Sequence, residues 1–318
     1  MVSTKNPPHT HTLDDHVLPY QVGKTAVRGH VVRLGPAIDE ILRAHNEADA
    51  CFNDALSRLV GEAGVLVTMM GASLKFDGKL IFQVQGDGPV SMIVADYYAD
   101  GSLRATASLK EKSPLDENYN TLPDLLGKGH IAMTVDQGAD MERYQGVTPL
   151  DGEILETAIV SYFQQSEQIP TAVRLAVGKI AVPGGREHWR AGGIIAQFVP
   201  GEGGERERGE HIIMAERDEE SWTTAEALLS TTKADELLDP NLPAEHLLYR
   251  LFHEEGVHVF DPIKINAACG CHQDKIMAVL QRYDEATLED MLEDGVIRVS
   301  CDFCRSDYVF DKHGKSVA

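Results

Sequence analysis

Apolar positions recur three or four apart from about Pro36 to Val60, at Ile41, Leu42, His45, Ala48, Phe52, Ala55, Leu56, Leu59 and Val60. This spacing predicts a helix with one buried face. Cys51 sits beside Phe52 on that stripe and reads as a small buried hydrophobe. Further along, the period shortens to two. Leu80, Phe82 and Val84 alternate with more polar neighbours, Gly86-Asp87-Gly88-Pro89 forces a turn, and a strand resumes over Val90 to Tyr97. Ala99-Asp100-Gly101 turns the chain again before Leu103 to Ala107, which predicts an antiparallel meander. Segments from His130 to Val135, Val173 to Val177 and Gly193 to Val199 add strands. Leu150, Ile154, Leu155, Ala158, Ile159, Tyr162 and Phe163 form a helical stripe suited to lie on a sheet. Because the strands cluster and do not alternate with helices, residues 18–205 are expected to be an α+β domain built on antiparallel sheet with packed helices.

Outside that domain the pattern changes. Residues 1–17 read as a polar tail in which His9, His11 and His16 are solvated. The run from Pro200 to Glu210 is rich in glycine and charge, as a flexible boundary is. It opens a charged, helical linker, residues 206–262, with helices over Trp222 to Leu229 and Ala244 to Phe252 divided by Asp239-Pro240-Asn241-Leu242-Pro243. Both helices are apolar on one face and surrounded by acid, so they need a surface to lie on, and the first domain is the expected one. Residues 263–318 form a small terminal unit, with a helical pattern at Ile276, Val279, Leu280, Leu288, Met291 and Leu292 and a strand over Val296 to Val299.

Composition narrows the class. With 318 residues, 43% hydrophobic and 25% charged, the chain fits a soluble globular protein of about two domains. Its 29 basic and 50 acidic residues give a net charge of −21, a surface that repels phosphate backbones and anionic lipid, so neither nucleic acid nor membrane is an expected partner. The charge is uneven, −7 over residues 1–200 and −14 over residues 201–318. An 18-residue apolar run is absent, and Met1 to Leu18 lacks the apolar core of a signal peptide. Cytoplasmic residence is therefore expected, where thiols are kept reduced.

Cysteine placement carries the chemistry. Four of the five cysteines form two pairs, Cys269-Gly-Cys271 and Cys301-Asp-Phe-Cys304, separated by 29 residues. Four soft thiolates at such spacing suit tetrahedral Zn²⁺, and Gly270 can supply the tight bend that a C-x-C hook needs. A unit this small cannot fold on apolar burial alone, so the metal decides whether it is folded. Two readings then stand on chemistry alone: an inert zinc staple, or a redox switch in which oxidation removes the ligands and with them the fold.

Other sites fail on spacing. The histidines of His253-Glu254-Glu255-Gly256-Val257-His258 are five apart with Gly256 between them, unlike a zinc-protease helix. A glycine-rich phosphate loop with its lysine is missing. Ser166 has no nucleophile-elbow glycines around it. The Cys301 pair lacks the strand-then-helix setting of a thioredoxin-type site. With neither an acid–base pair nor a triad assembled, no enzyme is expected.

At this point the residues resemble the redox-regulated chaperones of the heat-shock protein 33 family. Besides the four cysteines, the resemblance is carried in order by Gln85-Gly-Asp-Gly-Pro89, Tyr144-Gln-Gly-Val-Thr-Pro-Leu150, Tyr162-Phe-Gln-Gln-Ser-Glu-Gln168, Ala191-Gly-Gly193 with Gln197, and Tyr249-Arg-Leu-Phe-His-Glu-Glu255. It covers about Leu18 to Phe310. The resemblance implies one Zn²⁺ on Cys269, Cys271, Cys301 and Cys304 in an inactive reduced form. On oxidation it implies disulfides Cys269–Cys271 and Cys301–Cys304, release of zinc, and unfolding of the terminal unit and linker. The active form would hold unfolding client proteins without ATP and would commonly be a homodimer. Arg104-Ala-Thr stands where the family usually has an Arg-Gly step, and the stretch from Glu202 to Glu220 is longer and more charged.

A client surface has to be created by such a switch, since a permanently exposed apolar patch would self-associate. The linker faces at Trp222, Leu228, Leu229, Leu247, Leu248 and Leu251, with the sheet beneath them, are expected to supply it. Two rival readings remain: a constitutive zinc-ribbon module that recruits a protein partner, and a dithiol oxidoreductase. The second requires one thiol of depressed pKa, with Arg305 the nearest cation.

Overall fold

The computed structural model describes residues 14–47, 52–73, 77–111, 115–138, 141–181, 185–199 and 208–317. Cys51, His9, His11 and the glycine-rich stretch over 200–207 lie outside them. The chain opens with β1 (His16–Val22), β2 (Val27–Leu34), α1 (Pro36–Asn46) and α2 (Asp54–Gly71). Next come β3 (Lys79–Gly86), β4 (Val90–Tyr98), β5 (Ser102–Leu109), α3 (Leu122–Leu126), β6 (Gly129–Asp136) and β7 (Tyr144–Pro149). Helix α4 (Leu155–Tyr162) runs into a π-helical turn (Phe163–Glu167) and is followed by β8 (Thr171–Ala181) and β9 (Glu187–Phe198). Helices α5 (Arg208–Ser230), α6 (Ala234–Leu238) and α7 (Ala244–Phe252) form the linker. The chain ends with β10 (Val257–Val259), β11 (Ile263–Lys264), β12 (Asn266–Ala267), α8 (Gln273–Leu280), α9 (Glu285–Asp290), β13 (Ile297–Ser300) and β14 (Asp307–Phe310).

Two sheets hold one helix between them. The first has the order β10-β1-β2-β9-β8, with β11 also paired to β1, and the second the order β12-β5-β4-β3-β6-β7. All named pairs are antiparallel except β12 with β5. Helix α2 is buried from Leu56 to Gly71 apart from Arg58 and Glu62, which with Asp54 mark its one polar face, because beyond Glu62 that face ends and the helix needs cover all round. Leu56, Val60, Ala63, Leu66, Val67 and Met70 join side chains from both sheets in the main core. Backbone-close packing helps: a Cβ at Gly71 would fall 2.2 Å from the Tyr97 ring.

The outer face of the first sheet is covered by α5, α6 and α7, giving a second core from Leu18, Tyr20, Val31, Ala176, Ile194 and Ala196 below and Leu229, Leu237, Leu247, Leu248 and Phe252 above. Gly192 on β9 is what lets α6 come down, since a Cβ there would lie 2.4 Å from the Leu237 carbonyl oxygen. Arg33 on β2, 1% exposed, donates from Nη1 to the carbonyls of Leu237 and Asp239 at 3.0 and 3.1 Å. It thereby satisfies acceptors that the end of α6 leaves open.

Several expectations need correction. The helical stripe from Pro36 to Val60 is two helices: Asn53 starts α2 as its N-cap, its side chain accepting from Leu56 N at 2.8 Å, and α2 runs on to Gly71. Strand β1 begins at His16 and pairs with β2 over His16–Gln21, so the polar-tail reading does not extend to residue 17. Residues 263–268 are not part of the small terminal unit. β11 extends the first sheet and β12 the second, so the independent terminal core begins after them. That core is small: Leu280, Leu288, Ile297 and Phe310.

Candidate metal centre

The centre is assembled from two hooks that different elements carry. Strand β12 lies parallel to β5, and Ala268 N donates to Leu103 O at 3.0 Å, which delivers Cys269 and Cys271 at the edge of the second sheet. The other hook leads out of β13, where Cys301 N donates to Ser306 O and Arg305 N to Cys301 O, at 2.9 and 2.8 Å. The left-handed residue of this hook is Arg305, at φ 57°, while Gly270 in the first hook does not adopt positive φ. The bend expected of Gly270 therefore uses ordinary backbone.

All four sulfurs lie within 4.8 Å of one another. The close contacts run across the hooks, Cys269 to Cys301 at 3.6 Å and Cys271 to Cys304 at 3.3 Å. Zinc–sulfur bonds of about 2.3 Å imply tetrahedral edges of about 3.8 Å, so the four thiols have the spacing that the ion needs. Each cysteine is part-exposed. Tyr308 Oη lies 3.1 Å from Cys271 Sγ, and Ser306 Oγ 3.3 Å from Cys304 Sγ.

The thiols are electrostatically unequal. Burial, and then the neighbouring thiols Cys271 and Cys301, push Cys269 up to about 12 against a backbone hydrogen bond from Cys271. Burial also raises Cys301, opposed by backbone N–H groups of Cys304 and Phe303. At Cys304 burial is outweighed by hydrogen bonds from the Ser306 hydroxyl and backbone, and from its cysteine neighbours, which bring it down to about 7. Burial thus disfavours the thiolates of Cys269 and Cys301 until a cation joins them, while Cys304 is the thiol most easily ionised.

This centre is docked on the N-terminal domain through residues that the sequence did not single out for the purpose. Thr106 Oγ1 donates to Asp302 O at 2.7 Å. Arg305 Nε donates to His45 Nδ1 at 3.0 Å, while His45 Nε2 donates to Ala105 O at 3.1 Å. Arg104 lies over the Phe303 ring, 3.9 Å from its centroid. These partners are 196 and 260 residues apart in the first two cases, beyond the reach of any local pattern.

Over residues 15–311 the chain matches the family described as Hsp33 protein. It belongs to the Hsp33 family. The 33 kDa chaperonin of Caulobacter vibrioides is 43% identical over 312 residues, covering 96% of this chain and 98% of that protein. That of Shewanella loihica is 36% identical over 294 residues, covering 92% and 91%. The crystal structure of the 33 kDa chaperonin from Thermotoga maritima, 22% identical, matches with a TM-score of 0.74 over 94% of this chain and 96% of that one, which is agreement of fold.

Within this Hsp33-family chain the expected client residues are covered. Leu229, Leu247, Leu248 and Leu251 are buried against the first sheet, with Trp222 and Leu228 partly buried beside them. Trp222 stands 6.4 Å from Phe198, centroid to centroid. The rejected motifs fall apart in space: α7 ends at Phe252, and Gly256 takes φ +78° before β10, so His253 and His258 share no helix. Ser166 lies 3.3 Å from Glu167 Oε1, in the π-helical turn. Among the described residues no helix is long and apolar enough to cross a membrane.

Proposed function

We propose that this chain is an ATP-independent holdase chaperone, silent while Cys269, Cys271, Cys301 and Cys304 hold one Zn²⁺ and active once they are oxidised. One observation carries the reading: helices α5–α7 cap an apolar sheet face, and the same chain continues through β10–β12 directly into the four-thiol cluster. A client surface under a cover and a sensor at the end of that cover are what such a switch requires. The names of the relatives, chaperonins, support it.

The ion would be held by the four thiolates and would supply the cross-link that the terminal core lacks. In the activating step Cys269 bonds to Cys271 and Cys301 to Cys304. Each new S–S bond takes two electrons from a thiolate pair, and one peroxide with two solvent protons is reduced to two waters. With both bonds formed, all four ligands are spent. The four-residue core of the terminal unit is then too small to stay folded, α5–α7 lose their neighbour, and the faces around Trp222, Leu228, Leu229, Leu247, Leu248 and Leu251 open with the sheet beneath. Two such opened chains would pair as a homodimer through part of the exposed surface. A thiolate ligand set needs a reducing compartment, which favours cytoplasmic residence.

The test is light scattering by a chemically unfolded client, with the protein reduced and then oxidised by peroxide under mildly unfolding conditions. Suppression in the oxidised sample alone is expected. Equal suppression in both would sink the switch and favour a constitutive zinc-ribbon module.

A further inference from the structure

We propose that Arg104, a β5 residue of the N-terminal domain, is a charge-compensating partner of the thiolate centre and sets how tightly that centre holds its metal. The inference rests on the reading of the four cysteines as zinc ligands. The register of the strands puts it there. β12 pairs with β5 in parallel as Asn266 with Ser102 and Ala267 with Leu103, and Ala268 N donates to Leu103 O, so that register carried one step further sets Arg104 beside Ala268, the residue just before Cys269. The guanidinium shares a cleft with Gly270 and Cys271 of the first hook.

Its orientation is fixed from the other side. Asp96, opposite Arg104 in the β4–β5 register, accepts from Nε and Nη2 on a single oxygen, Oδ2, at 2.9 and 2.5 Å. Lys79 Nζ joins that oxygen at 3.1 Å, while Asp96 Oδ1 is buried without a partner. Held in this way, the guanidinium lies over Phe303, one of the two residues between the thiols of the second hook, at 3.9 Å from the ring centroid. A cation at that range is attracted to the ring face. Arg104 therefore faces both hooks, at Gly270 and Cys271 of the first and at Phe303 of the second, from a side chain only 19% exposed.

Two other cations lie at the hooks but are tied to oxygen or imidazole partners: Arg305 to His45 and Asp302, and Lys275 Nζ to Gly270 O at 2.7 Å. Arg104, Lys275, Tyr98 and Cys271 share a cleft of about 510 Å³ between the terminal unit and the second sheet. Four thiolates on one Zn²⁺ leave a net charge of −2, and a half-buried guanidinium beside them offsets part of it where water screens poorly. Linkage makes the effect mutual. Whatever Arg104 adds to metal binding, the metal returns as tighter docking of the terminal unit on β5. Disulfide formation removes the thiolate charge and leaves Arg104 with Asp96 alone.

The experiment is competition for zinc between the full-length reduced protein and a colorimetric chelator, comparing wild type, Arg104→Gln and Arg104→Lys. Outer-sphere partners of metal ligands are generally worth about 10–100-fold in affinity, and a loss in that range is expected for Arg104→Gln. Arg104→Lys keeps the charge without the fork, so its affinity should fall between the other two. Wild-type affinity in Arg104→Gln overturns the proposal. So does a lysine variant as weak as the glutamine one, which would mean that packing and not charge is responsible. Should Arg104→Gln fail to fold, Arg104→Lys decides alone: a small loss of affinity is expected, and a loss of about 100-fold despite the retained charge overturns the proposal. A wild-type protein that binds no zinc would instead overturn the reading of the cysteines, and the two failures are distinguishable.

Discussion

His45 must be a neutral imidazole for the terminal unit to dock. Its Nε2 proton is committed to Ala105 O and its Nδ1 lone pair accepts from Arg305, while the ring stacks on Phe52 at 4.7 Å. Burial is the main force pressing its pKa down to about 4, the Ala105 bond opposes it, and the Arg305 charge adds to the fall. In the unfolded chain the same group takes its proton near 6.5. The stabilisation is therefore complete above about pH 6.5 and is lost as pH falls toward 4, by up to about 3 kcal/mol. His30, partly buried and lowered to about 4 by desolvation, acts in the same sense. Urea midpoints of the reduced protein should fall between pH 6.5 and 4.5, and His45→Gln should remove part of that slope. An unchanged slope in the variant would show that His45 does not couple to docking. The sequence placed His45 on a buried stripe, and its contact with Phe52 belongs to that stripe. Its second role could not be read, because Arg305 is far along the chain and no period links them.

At the scale of elements, the seat of the linker depends on a strand that can be approached on both faces. In β9, Gly192 admits the Leu237 carbonyl of α6 on one side, while Gly193 admits Val65 of α2 on the other, where a Cβ would come within 2.6 Å. Gly192→Ala should lift α6 and weaken the cover by about 1–3 kcal/mol, the usual cost of forcing extra atoms into a packed contact. The expected outcome is partial suppression of client aggregation by the reduced variant, where the wild type gives none. A silent reduced variant would mean that α6 is not part of the clamp.

The same two-sided packing explains which elements were legible. In the β3–β4–β5 meander β3 alternates cleanly, and the turns at Gly86–Pro89 and Ala99–Gly101 make the rest legible although β4 and β5 do not alternate. Strands β1 and β2 were not identified, because they are sandwiched between the linker helices and the α1–α2 layer. Val31, Val32 and Leu34 are all buried there, and a strand covered on both faces loses its period of two. The end of α2 was missed for the corresponding reason: Val65 to Met70 is apolar all round, and a helical stripe disappears when there is no polar face to set it off. β7 is an edge strand with Tyr144 and Val147 exposed, too polar and too interrupted by glycine and proline to stand out.

For the whole molecule, the charge imbalance of the sequence acquires a location. The last third of the chain, which carries −14, includes the helices that close over the apolar face and the thiol cluster that follows them. An acidic cover held down by apolar contacts at one end and by a metal-dependent unit at the other is poised to leave when either hold fails. The cysteine hooks were legible because four soft ligands at short spacing have few other uses; the docking of those hooks onto β5 and α1 was not, because it joins the two ends of the fold. Amide hydrogen exchange through α5, α6 and α7, followed while peroxide oxidises the four thiols, tests the central claim most directly. The account predicts protected linker amides in the reduced zinc-bound protein and loss of that protection once both disulfides have formed. Linker amides that stay protected after full oxidation and metal release would contradict it.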